Sequence, residues 1–270
     1  MAKFTFFQAH PDDLELNCGH LMHFLTKESK KRHEVKIVST TKGEFGLADS
    51  SLGSGTKYDK FKGDFLAKVR TQELYNAQAI HGIPPENITF LDYVDGFVPF
   101  DKKFISKIAA YLQAEKPDVI IGPEPIFTYY YHTDHTFTGR ALFYIIHHEL
   151  IDFTPKLLYY TSLNPNFFFG FKKSDFSLTT RLIQCHKTQF WLLNTMMLVY
   201  KPIARIMGKK LPGWKYAEGY RQVFFDENLR WKNAPSRKTA IFSHFFSSMP
   251  FFKAKYPEAM LKDLKAKGKI

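Results

Sequence analysis

Cysteine is scarce in this chain: only Cys18 and Cys185 occur among 270 residues. Two thiols cannot build the disulfide framework of a small secreted scaffold, and a reducing compartment is the simpler expectation. A charged segment followed by an apolar one is missing at the start. The chain opens directly into a strand-like run, so no secretory leader is expected. There is no internal repeat and no low-complexity tract. A bilayer span needs about 20 apolar residues, and the most apolar stretch, 189–210, is interrupted by Asn194, Lys201, Pro202 and Arg205. No glycine-rich fingerprint follows the first strand either; that turn reads His10-Pro11-Asp12-Asp13, whose adjacent acids would repel a phosphate.

Hydrophobic residues at 44% and charged residues at 24% are ordinary for a folded soluble chain. The length suits one large domain, or a domain with an appended lobe. Aromatic residues reach 17%, with 28 Phe, and the excess falls mostly after residue 140. A net charge of +12 favours anionic partners without choosing among nucleic acid, phospholipid and phosphorylated sugar. The basic concentration near the end (Lys253, Lys255, Lys262, Lys265, Lys267, Lys269) reads first as a solvated helix.

Taken in order, the first half alternates between two periodicities. Residues 4–7 form an apolar strand, and Pro11 with two acids marks the turn into a helix whose Leu14, Cys18, Leu21 and Leu25 share one face. Positive charge at 27–32 closes that helix. Further strands are expected at 35–41, 88–91 and 118–122, and helices through 65–80 and 104–112. A Gly/Ser-rich loop occupies 42–58, long enough to be functional. Strands alternating with helices of this length predict an α/β, Rossmann-like, doubly wound and mostly parallel sheet with helices on both faces. We expect a catalytic core over 1–160, its C-terminal α/β extension over 161–230 with an apolar helix at 189–210, and a basic aromatic tail over 231–270.

Two clusters of ligand-type side chains fall at strand carboxyl ends. One is His10-Pro11-Asp12-Asp13 after the first strand; the other is His132-Thr133-Asp134-His135 after the strand at 118–122. In a parallel sheet those ends share one edge, so clusters far apart in sequence can converge. Each alone is weak, since aspartates cap helices and histidines sit on surfaces. Together they suit a catalytic zinc, which takes three His or carboxylate donors and keeps one position for water. His10, one of the two aspartates and one of the two histidines would make that set. The remaining aspartate could take a proton, and the remaining histidine could stabilise an oxyanion or protonate an amine.

AHPDDLEL at 9–16 with CG at 18–19, and HTDH at 132–135, resemble the PIG-L/LmbE-like family of zinc-dependent N-deacetylases. The likeness extends to KGEFG at 42–46, to Arg70 and Glu73 of an R-x-x-E helix, and to FLDYVDG at 90–96. It continues through His186-Lys-Thr-Gln189 to Tyr216-Ala-Glu218-Gly-Tyr220. The resemblance implies zinc, or another divalent first-row metal, bound by His10, Asp13 and His135. It makes Asp12 the general base and His132, oriented by Asp134, the group that stabilises the oxyanion and assists the leaving amine. Arg70 and Asp95 correspond to sugar contacts, each with a plainer alternative as an ion-pair partner of Glu73 and a turn former. Glu15 would support the start of the motif's helix. This chain departs from the family where Thr133 replaces a usual proline and Tyr130 replaces a frequent acid. The run 129–131 suggests an aromatic wall against a sugar ring, with Tyr131 as the substrate contact.

The expected activity is hydrolysis of acetyl from an N-acetylglucosamine-type amino sugar or its conjugate, releasing acetate. The alternative is a basic membrane- or nucleic-acid-associated binding protein on the same scaffold, without hydrolase activity. With the first reading go no nucleic-acid partner, room for a homo-oligomer, and a cytoplasmic place. The segment 189–210 either packs in the core or a subunit interface, or lies as an interfacial helix that reaches a lipid-linked sugar at the inner membrane surface.

Overall fold

Phe6 and Phe7 are consecutive residues of one strand, and both are fully buried. Successive side chains of a strand point to opposite faces, so such a pair needs cover on both sides of its sheet. A computed structural model supplies the arrangement; it describes residues 1–46, 61–226, 231–234, 236–238, 241 and 258–270. Most of the expected loop at 42–58, and the aromatic half of the tail with Lys253 and Lys255, therefore lie outside the described residues.

The sheet strands are β1 (Lys3–Gln8), β2 (Glu34–Thr41), β3 (Ile88–Tyr93), β4 (Val119–Pro123), β5 (Lys156–Tyr160), β6 (Phe167–Phe171) and β7 (Tyr216–Val223). The helices are α1 (Asp13–Asn17), α2 (Gly19–His23), α3 (Asp64–His81), α4 (Lys102–Glu115), α5 (Thr133–His147), α6 (Phe176–Cys185), α7 (Phe190–Gly208) and α8 (Glu258–Ala266). Spatial order is β3-β2-β1-β4-β5-β7-β6. The first five strands of that order run parallel, and β7 is antiparallel to both β5 and β6. The α/β class and the mostly parallel sheet are thus as the alternation predicts. The segment after residue 160 adds β6 and β7 to the same sheet.

Both faces are covered. Phe7, Val38, Ile120 and Leu157 pack with Phe104 and Ile108 of α4 and with Leu142 and Ile145 of α5. Phe6, Ile37, Ile121 and Leu158 pack on the other side with Leu14, Leu21 and Met22 of α1 and α2 and Leu74 of α3. Burial of each large apolar side chain is worth about 1.5–3 kcal/mol. A third cluster joins Leu16, Phe171 and Ile183 to Leu193, Met197, Tyr200 and Ala204 on one face of α7. The apolar stretch at 189–210 is therefore half core, and its opposite face is exposed.

One expectation fails. The single helix drawn through Leu14, Cys18, Leu21 and Leu25 is broken at Cys18 (φ −136°, ψ 2°) into α1 and α2, and a π-helical turn follows at Phe24–Glu28. The cause is distant in sequence. Glu218 on β7 accepts from His20 N (2.8 Å) and Leu21 N (2.9 Å), so a carboxylate satisfies the first amides of α2 and gives it a start of its own.

From β1 the chain moves to β2 and β3 on one side, and later to β4 and β5 on the other. The winding direction changes between β1 and β4. The carboxyl ends of these two neighbours flank the crevice where open α/β sheets place their sites.

Candidate metal and catalytic site

The turn after β1 is built by its own residues. Asp12 N and Asp13 N both donate to His10 O, at 2.9 and 3.3 Å. Asp13 Oδ2 accepts from Ala9 N (2.8 Å) and His10 N (2.9 Å). One carboxylate oxygen is thereby anchored, and the other, Oδ1, is left for partners across the crevice.

Those partners come from the turn after β4. Gly139 allows α5 to approach: a Cβ there would lie 2.2 Å from Pro123 O. With α5 so placed, His135 Nε2 lies 3.3 Å from Asp13 Oδ1 and 3.2 Å from His10 Nδ1, while His10 Nδ1 is 3.9 Å from Asp13 Oδ1. Donors on a tetrahedral ion with bonds of about 2.0–2.2 Å stand roughly 3.3 Å apart. These three atoms have that spacing and the right chemistry, so the residues fit a divalent first-row metal. A ring nitrogen of His132 is also within 4.8 Å of the donor atoms of His10 and His135.

The far side of His10 carries its support. Its Nε2 lies 3.1 Å from Asp134 Oδ2 and 3.1 Å from Asp95 Oδ1. Facing two carboxylates, Nε2 carries a proton, so Nδ1, on the side of Asp13 and His135, is the nitrogen that would bind a metal. Burial opposes a charge on His10, yet Asp95, Asp134 and Asp13 raise its pKa well above the ordinary value. Metal binding at Nδ1 would therefore release a proton. Asp13 moves the opposite way: burial would raise it, but His135, His10 and the backbone amide of His10 hold it well below the usual carboxylate range.

Asp12 points elsewhere. Its Oδ1 lies 3.0 Å from Arg70 Nη2, and the carboxyl pKa is raised, first by burial and also by Asp13, against the pull of Arg70. Arg70 is itself fixed by donating to Gly43 O (2.9 Å) and Gly46 O (3.3 Å). Gly43 has φ +65°, and a Cβ on it would fall 2.3 Å from Arg70 Nη1. Here glycine serves both the left-handed backbone and the close approach.

His132 receives an amide hydrogen bond from Asp134 N at Nδ1 (3.2 Å). Its proton must then sit on Nε2. Burial first, then the neighbouring His10, push its pKa down to about 4, so the ring is a neutral N–H donor at neutral pH.

The two clusters thus meet as expected, but the supporting residues are placed differently. The carboxylate of Asp134 does not orient His132; it holds His10 and accepts from Gly96 N (2.6 Å) and Val98 N (3.2 Å). Asp95 is 3% exposed, lies 3.1 Å from His10 Nε2 and accepts from Phe45 N, so its carboxylate belongs to the cluster around His10. Arg70 at 2% exposure points at Asp12 in the same way. The ring over the histidines belongs to Tyr130, 5.1 Å from His135 and stacked at 6.4 Å on His132. Glu15 does not cap its helix; its Oε1 lies 3.0 Å from both His186 Nε2 and Gln78 Nε2.

Sequence reasoning passed over Glu44. Its Oε1 accepts from Asp95 N (3.2 Å), and burial together with Asp95 pushes its pKa up to about 7. Its position inside KGEFG was the available signal.

A family model described as GlcNAc-PI de-N-acetylase, PIG-L, matches residues 5–146, which contain both clusters. The diacetylchitobiose deacetylase of Thermococcus kodakarensis is 26% identical over 235 residues, covering 80% of this chain and 81% of that protein. Among solved structures, the N,N'-diacetylchitobiose deacetylase from Pyrococcus horikoshii with its inhibitor MPG aligns with a TM-score of 0.68 at 22% identity. That alignment covers 82% of this chain and 83% of the other. GalB, the 4-carboxy-2-hydroxymuconate hydratase from Pseudomonas putida, aligns at 0.62 with 19% identity, over 85% of this chain and all of that one. The fold therefore hosts more than one reaction, and the side chains in the crevice have to decide.

Proposed function

The chain belongs to the GlcNAc-PI de-N-acetylase (PIG-L) family, and we propose that it hydrolyses the acetamide of an N-acetylglucosamine-type sugar or conjugate to the free amine and acetate. The observation that carries this reading is the spacing of His10 Nδ1, Asp13 Oδ1 and His135 Nε2 beside a carboxylate outside that set, Asp12, which Arg70 holds at one oxygen.

His10, Asp13 and His135 would hold the metal, zinc being the ion that best matches two imidazoles and a carboxylate in tetrahedral array. Once bound there, a divalent ion would supply Lewis acidity toward the amide oxygen and would lower the pKa of a water it holds. The protein's own residues then divide the remaining work. Asp12, with a raised pKa and one oxygen set by Arg70, takes the proton from the water and can return it to the nitrogen as the C–N bond breaks. His132 presents Nε2–H toward the oxygen on which negative charge develops. Tyr130 closes the wall beside both histidines and limits water around them. Asp134 and Asp95 keep the tautomer and tilt of His10.

Amine release from N-acetylglucosamine conjugates tests the proposal. Asp12→Asn is expected to lower kcat by about 10²–10⁴-fold, the usual weight of a general base, with metal content unchanged. An Asp12→Asn enzyme of full turnover would remove Asp12 from this role, and a wild-type protein that takes up no divalent metal would sink the reading as a whole.

A further inference from the structure

No aspartate or glutamate occurs between Asp175 and Glu218, although the same interval contains Lys201, Arg205, Lys209, Lys210 and Lys215. The structure concentrates this asymmetry on the outer face of α7 and the turn behind it. While Leu193, Met197, Tyr200 and Ala204 pack inward, Leu198 is 74% exposed, Val199 60%, Ile206 55% and Trp214 42%. Positions 198, 199, 202, 205, 206 and 209 recur at helical spacing, so the apolar and basic groups share one face. Single exposed apolar residues are ordinary on a protein surface; a stripe of them framed by cations of one sign is not.

We propose that this face docks on an anionic lipid surface. Apolar tips with long basic side chains beside them are the composition of a helix that lies in the headgroup layer. The cations sit at the edge of the stripe: Lys201 Nζ is 5.7 Å from the Phe176 ring and Lys210 Nζ 5.9 Å from that of Phe168. Each ammonium group thus rests beside an aromatic ring at the border of the stripe, a weak contact that an anionic phosphate can outcompete. Among the described residues no helix is long and apolar enough to cross a membrane, and Pro202 lies on the exposed side of α7. The helix is suited to lie flat. A second copy of the chain is a poor occupant, because a two-fold contact would set these unbalanced cations against themselves.

The placement also has a functional sense. Tyr200, Ile203 and Met207 of α7 line one cavity together with Tyr129, the neighbour of the ring over the histidines. At the other end, Gln189 donates to Gly46 O, the carbonyl that also anchors Arg70. A surface held by α7 therefore lies alongside the crevice. The docking proposal does not rest on the deacetylase reading, since vesicle binding is read without turnover.

Co-sedimentation of the full chain with phosphatidylcholine vesicles, with and without phosphatidylglycerol, is the test. Binding is expected only to the anionic vesicles and should fall with added salt. Each basic side chain near such a surface is worth roughly a fivefold factor, so Lys201→Gln with Arg205→Gln should weaken partitioning about 25-fold. Leu198→Asn with Ile206→Asn should weaken it too, at an unchanged thermal midpoint. The proposal is overturned if the wild type ignores both vesicle types. It is equally overturned if the variants bind as the wild type does, which would move the contact elsewhere on the chain. A third overturning result is a wild-type dimer that Leu198→Asn with Ile206→Asn dissociates while no vesicle binding is seen.

Discussion

Asp134 and His10, separated by 124 positions in the chain, are joined by a 3.1 Å contact between Oδ2 and Nε2 at the crevice floor. The residue between the two histidines of one motif thus sets the ring of the other motif. Asp134 is completely buried and also accepts from Gly96 N and Val98 N, so its carboxylate cannot swing toward His132. Both motifs are consequently parts of one device: Asp134 of the second holds the His10 ring of the first.

Asp134→Asn preserves volume but weakens the control over the His10 tautomer. Partners of this kind typically carry 10–100-fold in metal affinity. We expect that loss in a competition titration with a chromophoric chelator, and we expect much of the activity to return when the metal concentration is raised. An affinity equal to wild type would show that Asp95 alone suffices to hold His10.

Gly43→Ala probes the chain of contacts from the loop to Asp12. The added methyl meets the Arg70 guanidinium at 2.3 Å on a backbone with φ +65°, so Arg70 has to give way. Its ion pair with Asp12 is lost with it. Turnover is expected to fall at least tenfold with metal affinity intact, because His10, Asp13 and His135 are not touched. Arg70→Gln should act in the same direction and cost about 3 kcal/mol of stability in denaturant melts, since a buried pair is broken from one side.

How much of this was readable beforehand follows from what each signal depends on. The strands, the alternation and the two motif turns are local patterns, and parallel pairing then forces neighbouring carboxyl ends together. His10, Asp13 and His135 converge for that reason. Hydrogen-bond partners across the crevice follow no such period. That Asp134 faces His10, that Asp95 and Arg70 turn toward His10 and Asp12, and that Tyr130 stands against the histidines all depend on the tilt of α5 and on loop geometry. The break at Cys18 is the clearest case. Leu14, Cys18, Leu21 and Leu25 keep a helical period across a discontinuity whose cause sits about two hundred residues downstream in Glu218.

Two buried imidazoles predict an acid limb. Burial lowers the pKa of His81 to about 3 and that of His20 to about 4, both from 6.5. A base with a depressed folded pKa leaves the native state holding fewer protons than the unfolded chain. Stability from these two groups is therefore complete above pH 6.5 and drains as pH falls from there toward 4 and 3. His81→Phe, which keeps a flat ring, should flatten the fall of the thermal midpoint between pH 6 and 4 (roughly the window in which the unfolded imidazole titrates). An unchanged slope would mean that other groups govern acid unfolding.

Glu218 predicts a slope of opposite sign. Burial pushes its pKa up to about 7 from 4.5, against the hydrogen bonds from His20 N, Leu21 N and Tyr220 Oη. An acid with a raised folded pKa lets the native state hold the extra proton, so its contribution is largest below pH 4.5 and declines as pH climbs to about 7. Glu218→Gln cannot ionise, yet it sets a donor where both oxygens now accept, which costs about 1–3 kcal/mol through an unpaired amide. The deficit of the variant relative to wild type should accordingly be greatest near pH 5 and shrink toward pH 8, as read from paired thermal melts. A deficit that widens with pH would mean that the three donors outweigh burial and hold Glu218 as a carboxylate, in which case α2 is capped by a full negative charge.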